Sequence, residues 1–174
     1  MPLVKLFGSI LIIISTSLIG FYYGDKYSDR LSNLIYLEQC FKILETEIVY
    51  GANPLPEALT NVYKKGNKKV SFVFKEISDH LKANKNGDLF QSFHSVVGIL
   101  RNSLSLKDED IELFLSLGRV LGSSDRKDQE KNFNFVFKQI SVLQREAKIE
   151  KDKNEKLYKN LGILSGITIL IILL

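Results

Sequence analysis

The stretch LSNLIYLEQCFKILETEIVYGANPLPEAL, residues 31–59, decides the class of fold. Its apolar residues recur at spacings of three and four, which is the period of an amphipathic α-helix. The stripe comprises Leu31, Leu34, Ile35, Phe41, Leu44 and Ile48. It ends at Gly51, where we expect the left-handed glycine that commonly closes a helix. Asn53 and Pro54 then predict an N-cap and a first-turn proline, so that a second helix follows at once.

The same spacing continues through the middle of the chain. A third stripe starts at Val70, and Asp88 predicts the cap of a fourth helix. The acidic run 108–110 suits the positive end of a fifth helix dipole. A sixth helix begins near Ser124 and contains no glycine or proline before Gly162. Its apolar stripe comprises Phe133, Phe137, Ile140, Leu143 and Ala147. We therefore predict an all-α fold, an antiparallel bundle of about six helices.

Two uncharged runs flank this bundle, LFGSILIIISTSLIGFYYG at 6–24 and LGILSGITILIILL at 161–174. All 20 acidic residues lie between them. A membrane span takes about 20 helical residues, so the first run is long enough and the second, at roughly 21 Å, is short. We predict a transmembrane helix at 1–24, a cytosolic bundle at 25–160, and a transmembrane or membrane-inserted segment at 161–174. The first and last helices then extend into the membrane.

Basic residues set the orientation. Lys26 and Arg30 follow the first run, and a lysine-rich segment, 148–159, precedes the second, so the positive-inside rule places the bundle in the cytoplasm. The single cysteine, Cys40, suits a reducing compartment. A cleaved signal peptide is the alternative for the N-terminal run, but the aromatic residues 21–23 favour an uncleaved helix at the lipid interface.

Chemistry-bearing motifs are sparse in the sequence. No glycine-rich loop precedes a lysine and a serine or threonine, and His80 and His94 stand alone. We predict a surface position for His80, a packed or partly buried one for His94, and a helix-packing role for Cys40. The net charge of +4 is spread over interleaved acids and bases, which argues against nucleic-acid binding. We predict no catalytic residue, cofactor or metal. The segment 148–159 either solvates a helix face or binds anionic lipid headgroups.

Two glycine pairs lie in the apolar runs, each with three residues between its members. Such spacing lets helices approach closely in lipid. The pair Gly162 and Gly166 lies wholly inside the second run, and we predict that it packs a membrane helix. The pair Gly20 and Gly24 ends at the boundary of the first run and carries less weight.

Two segments, EIVYGANPLPEAL at 47–59 and LGSSDRKDQ at 121–129, carry a resemblance. Together with the apolar ends and the length, they resemble the stage III sporulation protein AB family of endospore-forming bacteria, over essentially the whole chain. The first segment is also similar to the cytoplasmic helical domains of platform protein F of type II secretion and type IV pilus systems. The resemblance implies a small cytosolic helical bundle.

The resemblance also implies a function. Family members belong to the assembly that connects mother cell and forespore, so we expect a non-enzymatic platform subunit in the mother-cell membrane around the forespore. The implied partners are the cytosolic ATPase, stage III sporulation protein AA, and neighbouring membrane subunits, and a homo-oligomer is compatible with this role. A membrane-tethered helical adaptor or sensor unrelated to secretion is the alternative.

Turn chemistry explains some motif positions better than others. Gly51, Pro54 and Gly122 are assigned to helix ends. Glu57 and Gln129 are less well explained by helix-end chemistry. We therefore take Glu57, Gln129 and Asp125 as the candidates for binding a partner.

Overall fold

The protein is helical through most of the part of the chain that its computed structural model describes, residues 2–84, 88–121 and 126–173. The helices are α1 (Pro2–Glu45), α2 (Leu55–Lys65), α3 (Lys68–Ala83), α4 (Leu89–His94), α5 (Val97–Asn102), α6 (Asp108–Val120) and α7 (Arg126–Leu173). A π-helical turn, Thr46–Tyr50, follows α1 directly. No strand occurs in these ranges, and the predicted all-α fold is confirmed.

Side chains bind backbone N–H groups at two of the predicted helix starts, at Asp88 as predicted and at Asp110, for which only a favourable dipole interaction was predicted. The Asp88 carboxylate accepts a hydrogen bond from the backbone N–H of Phe90 at 3.2 Å. At the start of α6, the buried Asp110 carboxylate accepts from the backbone N–H of Lys107 at 2.9 Å. Each bond satisfies a donor that the helix itself leaves without a partner, so these local sequence signals fix where α4 and α6 begin.

The predicted fourth helix is divided in two. α4 ends at His94 and α5 begins at Val97. At the break, the Ser95 hydroxyl donates to the backbone carbonyl of Ser92 at 2.8 Å. Serine side chains compete in this way with backbone hydrogen bonding, which favours the interruption of a helix.

The chain forms two compact units. The bundle unit, Ser32–Arg145, contains the aromatic core. Phe114 lies at its centre, with ring centroids 5.2 Å from Phe93, 5.9 Å from Phe74 and 6.0 Å from Phe41. All four rings are fully buried. Each such ring contributes on the order of 2–3 kcal/mol by burial, so this cluster joins α1, α3, α4 and α6 into one core.

The apolar stripes predict most of the core but err at particular positions. Ile35 is exposed and Phe137 is half-buried, whereas Phe133, Val136 and Ile140 are buried on α7. After α1 the core position passes to Val49 rather than to the half-buried Ile48. The π-helical turn contains more residues per turn than an α-helix, which shifts the buried face along the chain.

The terminal unit comprises Met1–Leu31 and Glu146–Leu174. Many large apolar side chains of its helices are exposed, among them Phe7, Leu11, Leu18, Leu164 and Ile171. Among the described residues, the helix at 7–50 alone is both long enough and apolar enough to cross a membrane, with a mean hydropathy of 1.6 over 18 residues. Only 11% of that window is buried, which is unlike a core helix of a soluble protein. The boundaries predicted at 24/25 and 160/161 stay predictions.

Candidate partner-binding site

A buried carboxylate holds the turn between α1 and α2. Glu47 is 5% exposed. One of its oxygens, Oε2, accepts hydrogen bonds from Nδ2 of Asn53 at 2.6 Å and from Nδ2 of Asn61 at 2.7 Å. The other, Oε1, accepts from Nζ of Lys65 at 2.6 Å. Three donors from the turn and from α2 therefore converge on one residue of the π-helical turn.

This network keeps Glu47 ionised. The hydrogen bonds from Lys65 and then from Asn61 and Asn53 lower the pKa of the Glu47 carboxyl below its ordinary value, against the opposing effect of burial. A buried carboxylate without such partners would be costly. The geometry thus supplies a rigid support for the loop that follows.

The loop above this support differs in detail from the sequence prediction. Gly51 has φ −80°, and the left-handed residue is its neighbour Ala52, with φ 52°. The expected left-handed glycine at 51 was therefore wrong, although Gly51 does lie at a helix end. A Cβ on Gly51 would lie 2.8 Å from the Glu47 carbonyl oxygen, so the position still favours glycine. Pro54 occupies the N-cap of α2 rather than its first turn, and Asn53 binds Glu47 instead of capping.

Side chains in this loop and on either side of it are exposed to solvent. Tyr50 is 66% exposed, which is unusual for an aromatic ring, and Glu57 and Pro54 are also exposed. The Glu57 carboxylate makes no hydrogen bond or ion pair with any residue in the described ranges. An exposed tyrosine before the fixed loop and an unpaired carboxylate in the first turn of α2 after it are suited to contact another protein.

The second motif is described only in part. Gly122 and Asp125 lie outside the described residues. Gln129 is half-buried on α7, and its Nε2 donates to the backbone carbonyl of Leu121 at 3.4 Å. Glu57 and Gln129 do not bind each other, so the structure does not join the two candidates into one site.

The four glycines of the two pairs all face the opposite helix in the terminal unit. A Cβ on Gly20 would lie 2.7 Å from the Gly162 Cα, and one on Gly24 would lie 2.9 Å from the Glu155 carbonyl oxygen. A Cβ on Gly166 would overlap the Thr16 hydroxyl. The two helices therefore run antiparallel at a distance that only glycine permits. Whether lipid surrounds this contact stays a prediction.

The isolated polar residues behave as follows. Cys40 is fully buried, and burial raises the pKa of its thiol to about 12, in keeping with a packing role. His80 is half-buried, with Nδ1 3.0 Å from the Ser92 hydroxyl, whereas His94 is exposed. The expected burial of the two histidines was thus reversed. In the ranges that the structure describes, no three His, Cys, Asp or Glu side chains gather as metal ligands.

Sequence reasoning missed Glu47 and Tyr50. Glu47 lies three positions after Leu44, so it shares a helix face with an apolar stripe. An acidic residue at such a position could have indicated a buried carboxylate. Tyr50 gives no comparable signal, because a tyrosine at a helix end is as often packed as exposed.

Comparisons with known proteins agree on one family. The family described as stage III sporulation protein AB matches residues 5–174. Stage III sporulation protein AB of Bacillus subtilis (strain 168) is 30% identical over 173 residues, which is 99% of this chain and 100% of that protein. A solved structure of a stage III sporulation protein AB superposes with a TM-score of 0.64 at 26% identity, and covers 72% of this chain and 98% of the solved one.

Proposed function

This chain belongs to the stage III sporulation protein AB family, and on that premise we propose that it is a non-enzymatic platform subunit in the mother-cell membrane, coupled to a cytosolic ATPase. The subunit belongs to the channel or secretion-like assembly between mother cell and forespore. Its helical bundle faces the cytoplasm, and its proposed partners are stage III sporulation protein AA and membrane subunits of the same assembly.

The terminal unit supports a membrane location. Phe7, Leu11 and Leu18 are 67%, 61% and 63% exposed, which an aqueous surface would disfavour and a lipid environment would satisfy. At the other end of the run, Lys26 lies 4.8 Å from the ring centre of Tyr22, as expected where a helix leaves the hydrocarbon. The positive-inside rule then assigns the bundle to the cytoplasm.

One observation carries the proposed contact with a partner, namely that Tyr50 and Glu57 are exposed on either side of the loop held by buried Glu47. A rigid turn loses little conformational entropy when a partner binds. The unpaired Glu57 carboxylate favours a basic surface on that partner.

The test separates binding from stability. We expect Glu57→Ala and Tyr50→Ala to weaken co-purification with the AA ATPase or a membrane subunit and to lower spore yield. The melting temperature should stay nearly unchanged, because exposed side chains contribute under about 0.5 kcal/mol. Asp79→Ala on α3 is the matched control, since Asp79 is also an exposed carboxylate without a partner in the described residues.

Two results would count against the proposal. If both variants melt normally and sporulate normally, this turn is not a partner surface. If the purified chain hydrolyses or transfers a group in an activity assay, the non-enzymatic assignment fails.

A further inference from the structure

An apolar groove lies between α6 and α7 of the bundle unit. Its cavity volume is about 570 Å³. Leu113 and Ser116 line it from α6, and Phe135, Gln139 and Leu143 line it from α7. The Phe135 ring is 58% exposed, so the groove is open to solvent along an aromatic edge. Apolar concavities of this kind at a protein surface mark binding sites.

One rim of this groove is acidic. Asp108, Glu109 and Glu112 line it from the exposed side of α6. Two of these carboxylates have cations 2.6 Å away, Arg101 at Asp108 and Arg119 at Glu112. Both pairs are largely exposed, and exposed pairs are held by at most about 1 kcal/mol. The carboxylates of Asp108 and Glu112 can therefore exchange these weak ion pairs for pairs with cations of a binding partner.

The outer face of α7 forms a ridge with the opposite charge. Phe135 and Val142 are 58% and 46% exposed and lie seven residues apart, on one face of the helix. Lys138 and Arg145 each follow one of them by three residues, which places both cations along the same ridge. Both are exposed, and neither makes an ion pair or hydrogen bond within the described residues.

We infer that the bundle units of two copies of this chain bind each other symmetrically, the α7 ridge of one copy lying in the α6–α7 groove of the other. In a two-fold interface the same patch must supply both complementary halves. Here the apolar groove, its acidic rim and the basic ridge adjoin on two neighbouring helices. Phe135 and Val142 then leave solvent, and Lys138 and Arg145 meet the rim carboxylates of the second copy.

Charge reversal tests the inference in the full-length chain. One variant carries Lys138→Glu with Arg145→Glu, and the other carries Asp108→Lys with Glu112→Lys. Two differently tagged copies are co-expressed, and their co-purification from mild detergent is measured. Each variant should associate with itself at least about tenfold more weakly than the wild type, because like charges face each other. Co-expressed together, the two variants should associate as well as the wild type, because both halves of the interface are again complementary.

Site-specific cross-linking tests the same interface when the charge-reversal variants fold poorly or when the membrane helices associate on their own. One tagged copy carries Ser116→Cys and the other Gln139→Cys, and a short bismaleimide is added to membranes. The native Cys40 is buried with a pKa of about 12, so it gives little background. We expect a cross-link between the two tags, and none from Asp79→Cys on α3.

Absence of the Ser116–Gln139 cross-link would overturn the inference, as would self-association that charge reversal leaves unchanged. A different protein captured at these cysteines, without the second copy, would overturn it as well.

Discussion

At the residue scale, Glu47 determines whether the α1–α2 turn is fixed. Replacement by alanine leaves the amides of Asn53 and Asn61 without their acceptor in a partly buried place. We expect Glu47→Ala to lower the free energy of unfolding by about 2–4 kcal/mol, measured by urea unfolding with circular dichroism. Glu57→Ala, ten residues along the same motif, is the control and should change it by less than about 0.5 kcal/mol.

The same carboxyl predicts a pH dependence. The pKa of Glu47 is lower in the folded protein than its ordinary value of 4.5. Its contribution is therefore fully present above the ordinary value and is lost as the pH falls through the lower, folded pKa. We expect the difference in stability between wild type and Glu47→Gln to be constant from pH 7 to 5 and to shrink below that range. A difference that grows on acidification would contradict the assignment of the ionised form.

Ala52 and Ser105 are the two described residues other than glycine with a positive φ, 52° and 54°, and Ala52 is the one that lies in the α1–α2 turn. A left-handed backbone costs a residue with a Cβ about 1–2 kcal/mol. Glycine avoids this cost, but it loses more conformational entropy on folding, which offsets part of the gain. Ala52→Gly should therefore raise the free energy of unfolding by roughly 0.5–1 kcal/mol, and Ala52→Val should lower it. Equal melting temperatures for all three would show that this φ is not maintained in solution.

Sequence identified this turn but not its conformation. The glycine, the two prolines and the apolar stripe mark a helix end and a helix start within a few residues. Which residue adopts the left-handed conformation depends on the residue at which the π-helical turn ends, Tyr50. The donors to Glu47 lie 6, 14 and 18 residues away, beyond the reach of local patterns.

At the scale of single elements, the glycine contacts between α1 and α7 invite a direct test. We expect Gly20→Ala to lower the melting temperature of the full chain in detergent, because the added methyl would lie 2.7 Å from the backbone of Gly162 and of Tyr158. Gly8→Ala is the matched control in the same helix, since its Cβ would meet nothing within 4 Å. A similar decrease for both variants would show that helix flexibility rather than close packing is responsible.

The bundle part of α7 offers a second comparison. Phe133 is fully buried, whereas Phe137, four residues later, is half-buried. Phe133→Ala should cost about 3–5 kcal/mol of stability and Phe137→Ala markedly less, measured by urea unfolding. Equal costs would agree with the sequence stripe, which includes both rings, and the reverse order would contradict the burial of Phe133.

The helices could be predicted from the sequence periodicity, whereas the residues that each helix buries could be predicted only in part. A stripe spans about 100° of a helix, so residues at its margins, such as Ile35 and Phe137, are assigned to the core by spacing alone. Their exposure depends on which neighbours pack against them. The break at Ser95 likewise depends on a side-chain hydrogen bond rather than on periodicity.

At the scale of the whole molecule, the two units predict separate behaviour. The fragment 32–145 contains the complete aromatic cluster and neither apolar run. We expect it to fold in buffer without detergent into a helical species that melts cooperatively, as seen by far-ultraviolet circular dichroism. A fragment that aggregates or melts without a transition would mean that the bundle requires the terminal helices.

The family could be recognised from two loop segments, whereas the candidate contact surface could not be. Motif residues such as Gly51 and Pro54 are explained by helix ends, and they identify relatives because the turn is specific. The exposure of Tyr50 and the opposite charges on the two sides of the α6–α7 groove depend on how the helices pack, so neither could be predicted from the sequence.

The hydrogen bonds that close the bundle join its first helix to its last. Gln144 on α7 donates to Glu38 and to the Leu34 carbonyl on α1, 106 and 110 residues earlier in the chain. During synthesis, roughly 5–20 s therefore pass between the translation of this part of α1 and that of Gln144 on α7. During that interval the apolar face of α1 around Leu34 and Phe41 has no complete covering. Nascent chains should consequently depend on chaperones until translation has passed Arg145. Chains stalled before that residue should be more susceptible to proteolysis than the complete protein.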